Sequence, residues 1–411
     1  MESARRVVVT GLGVASSLGC EVEEYWRNLV RGESGVVALQ DEAFASLPTR
    51  IGGVVRGYQE RDHFDPKEMR RLSRSSRLAV VAAGQAVRQA GLEADGVDRK
   101  EVAVLIGSSI GGYSASDYFF RDYYLHGSRG PLIIPMSMNT APASNVSIRF
   151  GLGGPLVNVD GACASGTHSV GYAFTLIRSG ALDLALAGGA DSPFTLGVME
   201  AWCALRVMSQ RNDVPSEACR PFSGDRDGMV LGEGAGVLVL ESEASARRRG
   251  REVLAEVLGY GASADGHHLT QPTPDGPARA MRRALLNAGL EPGRIGYVNA
   301  HGTGTPWNDR TETAAIKEVL GTSAAGALVV GNKGSLGHAV AAGGALELIG
   351  CVLTLRDRVV PPTINYRVPD PECDLDYVTT GSRRYEGDVI MSNSFAFGGS
   401  NAVLVIGRYR P

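Results

Sequence analysis

Short β-branched runs alternate with helical patterns along nearly the whole chain, and this alternation limits the possible folds more than any other feature. The runs are Arg6–Thr10, Val102–Ile106, Leu156–Val159, Leu182–Ala187 and Val237–Leu240, then Val253–Gly259, Ile295–Asn299, Leu328–Val330, Val389–Ser392 and Ala402–Ile406. Helical patterns lie between many of them, at Ser76–Ala90, Ala164–Ser179, Gly276–Ala288, Thr311–Leu320 and Ala339–Arg356. Strands separated by helices form parallel or mixed sheets covered by those helices. Glycine, 54 of 411 residues, gathers at the ends of the apolar runs. This predicts tight strand–helix turns in a compact α/β protein.

The pattern also echoes itself. A glycine-rich turn, Asp227–Gly236, leads into Val237–Leu240, and another, Phe395–Asn401, leads into Ala402–Ile406. The helix after Cys163 and the helix after His338 both begin at a reactive side chain and run through small residues. These echoes predict two similar halves, 1–250 carrying the cysteine and 251–411 carrying the histidines, joined near the polar stretch Ala246–Arg251. Glycine turns are common, so a chance likeness is the competing reading.

With 44% hydrophobic residues the chain can bury a large core, as two or three domains or as one duplicated unit. A net charge of −3 argues against a chain that binds polyanions such as nucleic acid over its whole surface, although a local basic patch is compatible with it. Six cysteines without close pairing or CxxC spacing argue against a disulfide scaffold or a zinc site, and point to a reducing cytosol. The start, Met1–Arg6 followed by Val7–Thr10, is too short in apolar residues for a secretory leader. No run reaches the ~18 apolar residues of a membrane span. Gly11-Leu12-Gly13 lacks the third glycine of a dinucleotide loop, and no GxxxxGK[ST] loop occurs.

Cys163 lies in Val159-Asp160-Gly161-Ala162-Cys163-Ala164-Ser165-Gly166, between an apolar run and a helical pattern. Small neighbours leave room round the sulfur. A thiol at a helix start faces unpaired N–H groups that favour thiolate, the nucleophilic form. Most free cysteines are small buried hydrophobes, and Cys20, Cys203, Cys219, Cys351 and Cys373 fit that description.

Two histidines share the glycine-framed setting. His301 ends a strand in Val298-Asn299-Ala300-His301-Gly302-Thr303-Gly304-Thr305, a position where α/β proteins hold chemistry. Asp309 and Glu312 follow at the start of a helix, where they stabilise its N-terminus or orient a neighbouring loop. His338 ends Lys333-Gly334-Ser335-Leu336-Gly337-His338 before a second helix, where a neutral imidazole is expected. Glu347 falls in an apolar helical segment and needs a partner, for which Lys333 is the candidate. His63, in a charged stretch, and His126, His168, His267 and His268 lack this combined setting.

Together, the cysteine motif, His301-Gly302-Thr303-Gly304-Thr305, Lys333–His338 and Asn393-Ser394-Phe395-Ala396-Phe397-Gly398-Gly399-Ser400-Asn401 resemble the elongating β-ketoacyl-[acyl-carrier-protein] synthases of the synthase II kind. They also resemble the ketosynthase subunits of type II polyketide systems. The likeness spans essentially the whole chain. It implies a thiolase fold, two duplicated halves in α-β-α-β-α layers, and a dimer. It implies Cys163 as nucleophile, His301 and His338 as paired histidines, Lys333 and Glu347 as supporting charges, and Asp309 and Glu312 as acidic residues of the histidine-loop motif. Thr303 and Thr305 match contacts to a phosphopantetheine arm, and Ile110 matches a residue lining the acyl pocket. Phe395 and Phe397 match a gating pair, with the Phe397 N–H joining that of Cys163 in an oxyanion hole. Two departures stand out: Gly161 where many relatives carry a bulkier or hydroxylated residue, and Ala396 where glycine is common.

The implied reaction is a decarboxylative condensation of a Cys163-bound acyl chain with a malonyl carrier thioester, with no metal or redox cofactor. The paired histidines distinguish it from initiating synthases, which resemble a Cys-His-Asn pattern. Degradative thiolases have a second cysteine where this chain has Phe395–Ser400. The implied partners are an acidic acyl carrier protein and either a second copy or a chain-length-factor-like subunit, in the cytoplasm. Lys67, Arg70, Arg71, Arg129 and Arg206 occupy positions resembling the carrier-docking surface, against the plain reading of solvated helix faces. Thr311-Glu312-Thr313 and Pro369–Tyr377 tilt the likeness towards polyketide rather than housekeeping fatty-acid enzymes. A cysteine hydrolase and a non-condensing partner subunit are the competing functions.

Overall fold

The computed structural model describes residues 5–94 and 96–411. The four residues before Arg5, which the leader reading takes in, lie outside the described part. Ten strands form one hydrogen-bonded sheet: β1 (Val7–Ala15), β2 (Ala103–Gly107), β3 (Leu156–Val157), β4 (Leu184–Asp191), β5 (Gly234–Ser242), β6 (Ala255–Ala264), β7 (Tyr297–Asn299), β8 (Leu328–Val330), β9 (Val389–Phe395) and β10 (Ser400–Gly407). Six helices place the site: α1 (Arg74–Gln89), α2 (Gly111–His126), α3 (Ser165–Arg178), α4 (Asp275–Ala288), α5 (Pro306–Leu320) and α6 (Gly343–Asp357).

The spatial order is β8-β7-β9-β10-β6-β1-β5-β4-β2-β3. Outward from β1, the pairs with β5 and β4 are antiparallel and those with β2 and β3 parallel. Outward from β6, β10 and β9 are antiparallel and β7 and β8 parallel. Each half therefore repeats the same five-strand pattern. Within the sheet the halves join where Val7–Val9 pair with Ala255–Val257.

Burial on both faces explains why these strands read as near-continuous apolar runs. Side chains alternate across each strand. Leu238 and Leu240 enter a central core, whereas Val237 and Val239 enter a core under α1. On the other half, Leu404 and Ile406 face the central core, and Val403 and Val405 face α4 and α5. The central core is filled by α3 and α6, which contact strands of both halves. Three apolar cores, the central one enclosing α3 and α6, thus hold five layers together: α1, the strands of the first half, α3 with α6, the strands of the second half, and α4 with α5. This is the thiolase fold. The small residues of the central helices allow close approach: a Cβ at Gly166 of α3 would sit 2.5 Å from the Ala341 carbonyl oxygen.

Candidate active site

Cys163 occupies a 3₁₀ turn, Ala162–Ala164, that feeds directly into α3. Ala162 has φ +50°, a left-handed conformation that a non-glycine residue holds only when its surroundings over-determine it. Ser165 supplies part of that constraint, its Oγ accepting from Gly161 N at 2.9 Å and donating to the Ala162 carbonyl at 2.6 Å. Gly161 has no room for a side chain, because a Cβ there would lie 2.7 Å from His168 Cδ2. The His168 ring cannot yield easily. Its Nδ1 lies 2.6 Å from Tyr260 Oη and its Nε2 2.9 Å from Ser400 Oγ.

Cys163 is 6% exposed, and this alters the expectation of a ready thiolate. Burial pushes the Cys163 thiol up to about 12, against the Lys333 charge and the backbone N–H groups of Cys163 and Phe397, which favour the thiolate. The helix start is present, but loss of solvent outweighs it. Those two N–H groups come from separate turns of the chain, the one before α3 and the one between β9 and β10.

His301 and His338 belong to the other half, at the ends of β7 and of the 333–337 turn. Their rings meet edge to face, with centroids 5.4 Å apart, and Phe395 packs on His301 at 5.9 Å. Both imidazoles are buried, and burial and then the Lys333 charge hold each well below the usual histidine range, so both are neutral. His301 Nδ1 and both ring nitrogens of His338 have no hydrogen-bond partner among the described residues. Buried polar atoms are almost always paired, so three unpaired nitrogens in one place mark a site built for something else to bind.

The surrounding charges fix the histidine turns. Lys333 Nζ donates to the His301 carbonyl and to Glu347 Oε1, the latter at 2.6 Å. Glu312 accepts from the backbone N–H groups of His301 and Gly302, each at 2.8 Å, and from Asn393 Nδ2 at 3.1 Å. Asp309 accepts from Phe222 N at 2.7 Å and Gly304 N at 3.2 Å. Both acids are fully buried in α5, so they pin the His301 loop rather than merely decorating a helix end.

Cys163, His301, His338, Thr303, Thr305, Phe395 and Phe397 line one cavity of about 100 Å³. The Thr303 and Thr305 hydroxyls lie 2.8 Å apart on its wall. Ile110 does not line this cavity. It shares an apolar cluster with Cys163, Phe44 and Phe194, and the last two also wall a chamber of about 1010 Å³ on the other side. The cluster thus includes both the nucleophile position and part of the wall of a much larger space.

The basic residues fall in two places. Arg70 and Arg129 line the large chamber, with Lys67 and Arg71 nearby in sequence, whereas Arg206 adjoins Val207 on the Cys163 cavity. All five are exposed, and none is in an ion pair among the described residues.

Some site residues escaped the sequence reading. Trp202 stacks on Phe397 with ring centroids 5.9 Å apart, and the Asp265–Pro272 segment closes the far wall with His268 and Leu269. Neither carries a motif, since only tertiary packing brings them in. His268 has no glycine-framed motif around it, yet it lines the cavity.

The Beta-ketoacyl synthase, N-terminal domain family matches residues 4–246, and its C-terminal domain counterpart matches residues 254–367. Nodulation protein E of Rhizobium sp. (strain N33) is 42% identical over 402 residues, covering 97% of this chain and 98% of its own. The 3-oxoacyl-[acyl-carrier-protein] synthase 2 of Staphylococcus aureus (strain N315) is 38% identical over 413 residues and 100% of both chains. Among solved structures, the ishigamide ketosynthase/chain length factor superposes with a TM-score of 0.92 at 36% identity, covering 99% of this chain and 100% of that one.

Proposed function

The chain belongs to the β-ketoacyl synthase family of acyl-transferring condensing enzymes, and from that premise we propose how its residues divide the work. The observation that carries the proposal is the pair of neutral imidazoles with unpaired ring nitrogens in the same cavity as Cys163.

In the first half-reaction Cys163 attacks an acyl thioester. The new sulfur–carbon bond replaces the thioester bond, and the proton lost by Cys163 leaves on the carrier thiol. The tetrahedral oxyanion accepts from the N–H groups of Cys163 and Phe397; one such donor is typically worth ~3–4 kcal/mol. In the second, a malonyl thioester loses carbon dioxide, and the electron pair of the broken bond becomes an enolate. N–H groups of His301 and His338 donate to its oxygen. Neutral imidazoles suit this role, and the buried Lys333 charge helps keep them neutral. The enolate carbon then attacks the acyl-Cys163 carbonyl, the thiolate departs and is reprotonated, and a β-ketoacyl product leaves. Every bond and charge balances without a metal or redox cofactor.

The substrates ride on the phosphopantetheine of an acyl carrier protein, whose arm passes Thr303 and Thr305. Polyketide-type assembly is favoured over housekeeping fatty-acid synthesis by the Thr311–Thr313 and Pro369–Tyr377 segments. A second subunit, identical or chain-length-factor-like, covers the face where β3 ends the sheet and where Tyr113, Tyr118, Tyr124 and Leu125 of α2 stand exposed. An open strand edge beside exposed aromatics is a surface that proteins cover. Among the described residues no helix is long and apolar enough to cross a membrane. All six cysteines are unpaired, which fits a reducing cytoplasm.

The test is mass spectrometry of Cys163 after incubation with candidate acyl carriers, combined with carbon dioxide release from malonyl carrier. An acyl adduct on Cys163 with malonyl-dependent carbon dioxide release is expected. Release of free acid without malonyl consumption would instead identify a hydrolase.

A further inference from the structure

Asp191 ends β4 with its side chain fully buried, and no cationic group among the described residues lies within ion-pair distance of it. An isolated buried carboxylate is costly unless hydrogen bonds replace its water. Here backbone and hydroxyl donors do so. Oδ1 accepts from Ser108 Oγ at 2.8 Å, Ile110 N at 3.2 Å and Gly111 N at 2.9 Å. Ser109 N reaches both oxygens, at 3.2 and 3.3 Å. Oδ2 accepts from Ala341 N at 3.1 Å.

These donors come from three working parts of the site. Gly111 opens α2 behind Ile110, the apolar wall. Ser109 carries the link to the nucleophile turn, its Oγ lying 2.8 Å from Asp160 Oδ1, 3.1 Å from the Ala162 carbonyl and 2.9 Å from Ser165 Oγ. Ala341 belongs to the other half, three residues after His338 and next to Val340, whose φ is +46°. A left-handed valine persists only under external constraint. The positive ends of α2 and of the turn into α6 both face the carboxylate, which favours its ionised form. Burial raises Asp191 to about 6, so it is charged at neutral pH.

We infer that Asp191 is a positioning residue that holds the Ser109–Gly111 segment of one half against the His338 turn of the other. The inference rests on the condensing reading above. Its consequence is a split between the two half-reactions. In Asp191→Asn one oxygen becomes an NH₂ group. The remaining oxygen keeps the larger set of donors at Ser108–Gly111, so the NH₂ is turned against the Ala341 N–H. Donor then faces donor at Ala341, whose N–H has no other bond to the carboxylate, whereas Ser109 N keeps its bond to the remaining oxygen at 3.2 Å.

The experiment measures both half-reactions on the full chain, with melting curves as a fold control. For Asp191→Asn, acylation of Cys163 by an acyl carrier is expected within about twofold of the unmodified rate, and malonyl-carrier decarboxylation is expected to fall about tenfold. Amide hydrogen exchange in the 338–345 segment should quicken, which a general loosening would not confine there. Equal falls in both half-reactions, or no fall in either, would overturn the inference. If that variant does not fold, Ser108→Ala tests the carboxylate from its other side. It should slow acylation about threefold and leave decarboxylation unchanged, and a variant without that split overturns the inference too. Carbon dioxide release by the unmodified protein with no split in the variants sinks this inference alone. No release from the unmodified protein sinks the condensing reading, and this inference with it.

Discussion

Lys333 and Glu347 form an ion pair, Nζ to Oε1 at 2.6 Å, with each side chain only 1% exposed. The same ammonium also donates to the His301 carbonyl. One buried cation thus ties a helix of the central layer to the backbone of a site histidine. Removing one partner leaves the other charged in a dry core, at a cost of ~3–5 kcal/mol. Lys333→Met should lower the denaturant midpoint accordingly. The pair Lys333→Met/Glu347→Leu should recover much of that stability without recovering condensation. Recovery of both would show that the pair serves stability alone.

In the proposed mechanism His338→Ala removes one donor to the enolate. A loss of about 10²–10³-fold in malonyl decarboxylation is expected, by analogy with loss of a single oxyanion donor. Acylation of Cys163 should continue, and trapping the acyl-enzyme by mass spectrometry separates the two effects.

Cys163 sits in a site that raises its thiol to about 12. The thiolate fraction therefore climbs about tenfold per pH unit across the neutral range, below the raised value. Alkylation by iodoacetamide should follow that climb from pH 7 to 9 without a plateau. A plateau near neutral pH would mean that the thiolate is already formed in the free enzyme. Cys163→Ala should lose the adduct and all acyl transfer while keeping its melting temperature.

Gly161 has φ −129°, a conformation open to any residue, so its side chain is excluded by contact and not by backbone strain. Gly161→Ala should destabilise by ~1–3 kcal/mol through the collision with the doubly bonded His168 ring. His168→Ala in the same chain should relieve part of that cost. Thermal melts of the two single variants and the double variant give the coupling, and strict additivity would refute the contact.

Much of the fold was legible because its strands are buried on both faces and its helices start at glycine-framed turns. All ten strands appear where apolar runs occur, even the two-residue β3. The site residues that sequence revealed are those fixed by local motifs, such as Cys163 in its small-residue turn and His301 before Gly302. What it hid depends on distance along the chain. Trp202 meets Phe397 and Asp191 meets Ala341 only after the halves have packed. The charge state of Cys163 was hidden for the same reason: a helix start can be seen in sequence, but the dryness of a finished cavity cannot.

The repeated five-strand pattern places α3 behind Cys163 and α6 behind His338, so each half offers an equivalent seat to its twin. One seat holds Cys163 and the other His338, and the two face one shared cavity. Such seats can be vacated singly. Replacing Cys163 by another small residue would leave the second seat and the packed cores as they are.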